Sequence, residues 1–239
     1  VSATEPPSAA PTPTGAALWL LVALPYVVQL LAAGLGVIVV VQLGLMERGG
    51  GLFGVPQALL AIGSYVVFGV ATWLVARRLG RPLDILAAVR TPLGPALAWS
   101  ALALVAAFVA AAALEPLFGG AQSQRDAIGS VPGGLPGVVA IGLAAIAAIP
   151  GAAITEELYF RGLLLGALDR RLGTAAAIVG SAGAFGLAHF QPAAFPTLAV
   201  LGVILAVLRL RTASTLPCIA VHMANNAIAL TAVIVMASA

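Results

Sequence analysis

Ile154-Thr155-Glu156-Glu157-Leu158-Tyr159-Phe160-Arg161-Gly162 sets three charged side chains inside a chain that is otherwise almost uncharged. A charge within a bilayer costs several kcal/mol unless it faces protein or a wet cavity, so such residues mark function by default. At helical spacing Glu157 and Arg161 are i and i+4 and can neutralise each other. Glu156 lies about 100° further round the helix and is left without that partner. The surroundings fix the setting: 62% of the 239 residues are hydrophobic and 8% charged, against about 25% charged in a soluble domain. No soluble fold could cover that much apolar surface. The fold class expected is all-α, a polytopic transmembrane helical bundle of about seven to eight spans.

Outward from this stretch, the hydrophobic runs divide the chain. Residues 1–15, rich in Pro, Ala, Ser and Thr, read as a disordered tail and not as a signal peptide, having no basic n-region. Residues 16–136 read as N-terminal transmembrane helices: spans over 16–45, 55–76 and 96–117, a polar turn at 47–51, a loop over 81–95 and another over 118–136. Residues 137–239 read as a functional core. Its first run, 137–171, would be roughly 50 Å as one helix, too long for a core of about 30 Å, so Pro150 and Gly151 are expected to kink or break it. Further spans follow over 174–190, which is short, 194–208 and 215–235.

With the N-terminus inside, Arg77, Arg78, Arg81, Arg90, Arg170, Arg171, Arg209 and Arg211 are cytoplasmic and only Arg48 and Arg125 lie outside, which satisfies the positive-inside rule. All eleven basic residues are Arg in an Ala- and Gly-rich chain. That composition reads as bacterial, so the location expected is a bacterial plasma membrane with a cytoplasmic N-terminus. The partners expected are the lipid bilayer and a peptide or protein substrate, with no nucleic acid. A lone Cys218 excludes an intrachain disulfide, and no adjacent base makes it a nucleophile.

The two histidines both fall in predicted spans. Phe185 and His189 are i and i+4, as are His222 and Asn226, so each pair shares a helix face. Singly, such residues serve as interhelical hydrogen-bonding groups about as readily as they serve chemistry. Together, a carboxylate, two imidazoles and a carboxamide suit hydrolysis by an activated water: the carboxylate takes the proton and the other groups stabilise the oxyanion. A divalent metal such as zinc, held by Glu156, His189 and His222, is the other possibility. The residues leave both open, although Asn226 beside His222 is better suited to an oxyanion than to a zinc shell. Glu157 and Arg161, as a neutralised buried pair, read as support.

Glu156-Glu157-x-x-x-Arg161, Phe185-x-x-x-His189 and His222-x-x-x-Asn226, in that order on successive hydrophobic segments, resemble the CPBP family of intramembrane proteases, also called the CAAX protease and bacteriocin-processing or Abi family. The resemblance covers about residues 137–235. It implies a membrane endopeptidase related to the type II CAAX prenyl endopeptidase. In that family Glu156 would be the carboxylate that activates water; His189, His222 and Asn226 would bind water or oxyanion; Glu157, Arg161 and Phe185 would support them. Both a metalloprotease and a metal-free glutamate mechanism have been argued for the family. Bacteria generally lack protein prenylation, so specificity for a prenylated tail is not carried over.

Two other classes share these features. A non-catalytic membrane scaffold, such as a bacteriocin immunity factor, would use the polar cluster for helix packing alone. A proton-coupled transporter would use it as a relay, but the sequence lacks the inverted repeat many transporters carry.

Overall fold

The computed structural model describes residues 15–45, 54–120 and 134–237. The expected N-terminal tail, the turn at 47–51 and most of the loop at 118–136 lie outside them. The helices are α1 Ala16–Gln42, α2 Val55–Leu79, α3 Pro82–Ile85, α4 Leu93–Phe118, α5 Gly134–Ile146, α6 Ala153–Glu157, α7 Leu165–Leu172, α8 Thr174–Leu187, α9 Phe195–Thr212 and α10 Leu216–Ala237. Among the described residues six helices are long and apolar enough to cross a membrane. With their lipid-facing surface this makes the chain an integral membrane helical bundle. The fifth expected span, α8, has 14 residues, about 21 Å of helix, and reaches only part of the way across.

The run after residue 137 departs from expectation. Pro150 does not break it; Gly137–Leu172 continues as one apolar helix of 36 residues, about 54 Å long. It stays continuous by switching to π-helical turns over Ala147–Ala152 and Leu158–Leu164. A wider turn makes room for a proline that offers no N–H and crowds the turn before it. Such bulges gather at functional sites, and Glu156 and Glu157 lie on the short α-helical piece between these two.

Small residues let the helices close on one another, as expected where lipid tails supply no hydrophobic drive between helices. A Cβ on Gly202 of α9 would fall 2.8 Å from Cα of Ala182 on α8. One on Gly69 of α2 would fall 3.0 Å from Thr155, beside the Glu pair. The aromatic core lies at the same level: Phe68, Tyr159, Phe160 and Phe185 are buried, and their rings meet at centroid distances of 5.0 Å for Phe68–Tyr159, 4.9 Å for Tyr159–Phe160 and 5.3 Å for Phe160–Phe185.

The segment 81–95, expected to be a plain loop, contains α3 and packs into the protein. Leu86 and Ala87 are buried. Thr215 donates both its N–H, at 2.9 Å, and its hydroxyl, at 3.1 Å, to the carbonyl of Ala87, and Ser214 Oγ donates to the Val89 carbonyl at 2.6 Å. Ala87 and Ala213 both adopt positive φ, 50° and 52°, a conformation uncommon outside glycine and held here by these tethers. A Cβ at Gly162 would fall 2.6 Å from the Leu86 carbonyl oxygen. Only glycine lets the strap lie this close to the helix of the Glu pair.

Candidate active site

The two adjacent glutamates have different neighbours. Glu157 is fully buried, and its Oε1 accepts from Arg161 Nη1 at 3.0 Å and from His222 Nδ1 at 2.9 Å. Arg161, equally buried, donates through Nη2 to the Gly202 carbonyl at 3.2 Å. Its guanidinium carbon stands 4.3 Å from the centroid of the Phe185 ring, a cation–π contact strengthened by burial. One carboxylate and one guanidinium thus join the long helix to α8, α9 and α10. The expected i, i+4 pair is formed, with His222 as a third member that spacing did not suggest.

Glu156 has no ion pair among the described residues. It is 8% exposed, and its Oε1 accepts from the Tyr65 hydroxyl of α2 at 3.2 Å. Its Oε2 is buried without a protein hydrogen-bond partner, as is Oε2 of Glu157. The distinction therefore lies in charge: Glu157 faces a guanidinium, whereas Glu156 faces one neutral hydroxyl.

Both histidines have their tautomers set by what Nδ1 meets. His189 Nδ1 lies 2.8 Å from the Phe185 carbonyl oxygen, which can only accept, so Nδ1 carries the proton. His222 Nδ1 faces the carboxylate of Glu157 in the same sense. In the neutral rings Nε2 is therefore an acceptor, and it becomes a donor only on protonation. The Phe185 ring has His189 at 4.9 Å and His222 at 5.8 Å between centroids, so both imidazoles edge one phenyl group. Asn226 donates through Nδ2 to the carbonyl of Ala148, in the first π turn, at 2.8 Å, and its Oδ1 accepts from Asn225 at 3.4 Å. One amide hydrogen of Asn226 is thereby committed to the frame and one is left.

The alternative expectation is a metal held by Glu156, His189 and His222. Among the described residues no three His, Cys, Asp or Glu side chains are placed to hold one ion. Glu156, His189 and His222 thus do not form a three-ligand group. Cys218 is buried, its thiol directed at the Leu205 carbonyl at 3.3 Å, in keeping with a packing role.

Two residues that the sequence reading passed over bear on the site: Tyr65, which reaches Glu156, and Tyr26 of α1, whose hydroxyl donates to the carbonyl of Ala188 at 3.0 Å, next to His189. The signal was available, since a tyrosine hydroxyl inside a span must find a partner; which partner was not.

Residues 138–228 match the family described as Type II CAAX prenyl endopeptidase Rce1-like. The match covers less than half of the chain and holds every residue placed in the site except Tyr26 and Tyr65. No curated protein and no solved structure matches the chain.

Proposed function

From the match of residues 138–228 to the Rce1-like, type II CAAX prenyl endopeptidase family, a protease family, we propose that this chain is an intramembrane endopeptidase with Glu156 as its general base. The observation that carries the assignment is the contrast in charge within the glutamate pair: Glu157 is neutralised by Arg161, while Glu156 meets no cation among the described residues and accepts from one neutral hydroxyl. A carboxylate in that state can take a proton from water.

In this reading Glu156 accepts the proton of a water that attacks the scissile carbonyl. His189 and His222, each held by its Nδ1–H, present Nε2 to the water or the developing oxyanion, and Asn226 contributes its second amide hydrogen. Either ring must be protonated to donate, so the amide is the donor available in every state. Glu157 and Arg161 hold His222 and act on the reaction only through it. The substrate is a membrane-associated protein or peptide, and the cytoplasmic end of the bundle is the one bearing Arg77, Arg78, Arg170, Arg171, Arg209 and Arg211, as the positive-inside rule requires. A bacterial plasma membrane is the setting that the composition suits.

The test compares peptides from membranes carrying the wild type or Glu156→Gln. Cleavage products present with the wild type and lost with the variant, at equal protein level, are the result expected. Identical peptide sets would overturn the assignment and leave the scaffold reading in its place.

A further inference from the structure

The family match begins at residue 138, yet two of the hydrogen bonds around the site originate from the first two helices. Tyr65 on α2 donates to Glu156 itself. Tyr26 on α1 donates to the carbonyl of Ala188 at the end of α8, where the chain turns to carry His189, whose N–H bonds to the Gly186 carbonyl at 3.4 Å.

The packing around Tyr65 is specific. A Cβ on Gly151 would stand 3.5 Å from the Tyr65 ring, so the ring lies directly over the first π turn. One helical turn along α2, Gly69 faces Thr155 with room for little more than hydrogen. Gly69 thus lets α2 approach the long helix closely, at the distance from which a phenol reaches Glu156. Tyr26 is bound into the same group: its ring stacks on Tyr159 at 6.2 Å and an interplanar angle of 22°, and meets Phe68 edge-on at 6.2 Å.

We infer that Tyr65 and Tyr26 are positioning residues for the reaction, so that the helix pair α1–α2, outside the family match, completes the site by fixing Glu156 and the turn of His189. This rests on the protease reading. With one oxygen occupied by the phenol, Glu156 cannot rotate freely, and its other oxygen is left as the one that meets water. The chain supplies no other partner for Glu156 among the described residues, so the phenol alone sets that orientation. Loss of such a role lowers the rate, because a misplaced base fails mainly in the transition state.

The test uses the full chain in membranes or nanodiscs with a cleaved peptide as reporter. Tyr65→Phe is expected to lower kcat roughly tenfold or more, the scale of a hydrogen bond to a charged group, with KM and thermal unfolding close to wild type. Tyr26→Phe should lower kcat by about threefold to tenfold, the scale of a neutral hydrogen bond. Ser64→Ala, which removes a hydroxyl bonded only to its own helix at Ala61, should leave kcat unchanged. Para-aminophenylalanine at position 65 restores a donor and should recover most of the rate. An unaltered kcat in Tyr65→Phe, in a preparation that Glu156→Gln inactivates, would overturn the inference while leaving the protease reading intact, and so would a failure of the amino analogue to rescue. If Glu156→Gln cleaves like the wild type, the protease reading fails instead. Infrared difference spectra then decide the contact itself: the band lost in Glu156→Gln should shift in Tyr65→Phe and stay in place in Ser64→Ala, and a band that does not move sinks the positioning role.

Discussion

Glu156 and Glu157 are neighbours in the chain and share one turn of one helix, but they belong to two different parts of the molecule. Glu157 points into the seam where the long helix meets α8, α9 and α10, and there meets a guanidinium and an imidazole. Glu156 points towards α2 and meets a phenol. The identity of a carboxylate therefore says little about its role in a bilayer; the charge of what it faces decides. A paired carboxylate is a strut, since protonating it would strand the arginine. An unpaired one keeps its basicity available for chemistry, and the protein retains it despite the cost of burial.

The sharpest way to break this contrast is to neutralise each glutamate in turn. Glu156→Gln should lower turnover by about 10²- to 10⁴-fold, the usual share of a general base, with expression and unfolding temperature near wild type. Glu157→Gln should instead lower stability first, because Arg161 is left buried without its counter-charge. Measuring peptide cleavage and thermal unfolding on both variants side by side separates the roles; an inactive, stable Glu157→Gln together with an active Glu156→Gln would reverse them.

Arg161→Ala attacks the strut from the other side. It leaves Glu157 charged at 0% exposure with the His222 imidazole but without its guanidinium counter-charge, removes the bond to the Gly202 carbonyl and empties the space against Phe185. Breaking a buried pair by deleting one partner costs about 3–5 kcal/mol, so the protein should accumulate poorly and unfold at markedly lower temperature. A variant that accumulates and unfolds like the wild type would show that the pair contributes nothing net.

Much of this was legible in the residues. Hydropathy gave the spans, because apolar runs of the right length have no other stable environment. Helical spacing gave the Glu157–Arg161 pair. Three things were not legible. Pro150 is expected to kink or break the helix, but a π turn keeps it continuous, and local sequence does not say which remedy a proline receives when neighbouring helices pack against it. The bond from Glu157 to His222 joins residues 65 positions apart, a contact that only the packing of α10 creates. Tyr65 reaches Glu156 across 91 positions from a helix whose hydropathy pattern looks like any other span. Periodicity reports which residues share a face of their own helix and is silent about the face opposite.

Gly162 sharpens the contrast at the end of the motif. A methyl group there would meet the Leu86 backbone, with its carbonyl oxygen 2.6 Å away, and backbone cannot swing aside as a side chain can. Gly162→Ala should destabilise by about 1–3 kcal/mol, as overpacking does, and should shift the second π turn that carries Arg161. The expected outcome is a lower unfolding temperature with a smaller loss of activity than Arg161→Ala. A variant as stable as the wild type would mean that the 81–92 strap moves away without cost.

The smallest effect expected is also the cleanest test of whether the strap belongs to the frame alone. Thr215→Val keeps the shape and the backbone bond to Ala87 but removes the hydroxyl that shares the same carbonyl at 3.1 Å. Because the Ala87 oxygen still has one partner, no buried acceptor is stranded, and the loss should be about 0.5–1.5 kcal/mol, the net value of an ordinary hydrogen bond. Among the described residues no hydrogen bond joins the strap to Glu156 or Tyr65, so kcat measured on folded protein should equal that of the wild type. Unfolding in nanodiscs and turnover per folded molecule, compared with those of Tyr65→Phe, place the two variants in opposite corners: one loses stability and keeps its rate, the other keeps stability and loses its rate. A fall in kcat for Thr215→Val at unchanged unfolding temperature would mean that strap and site are coupled, and that the division between strut and working carboxylate is drawn in the wrong place.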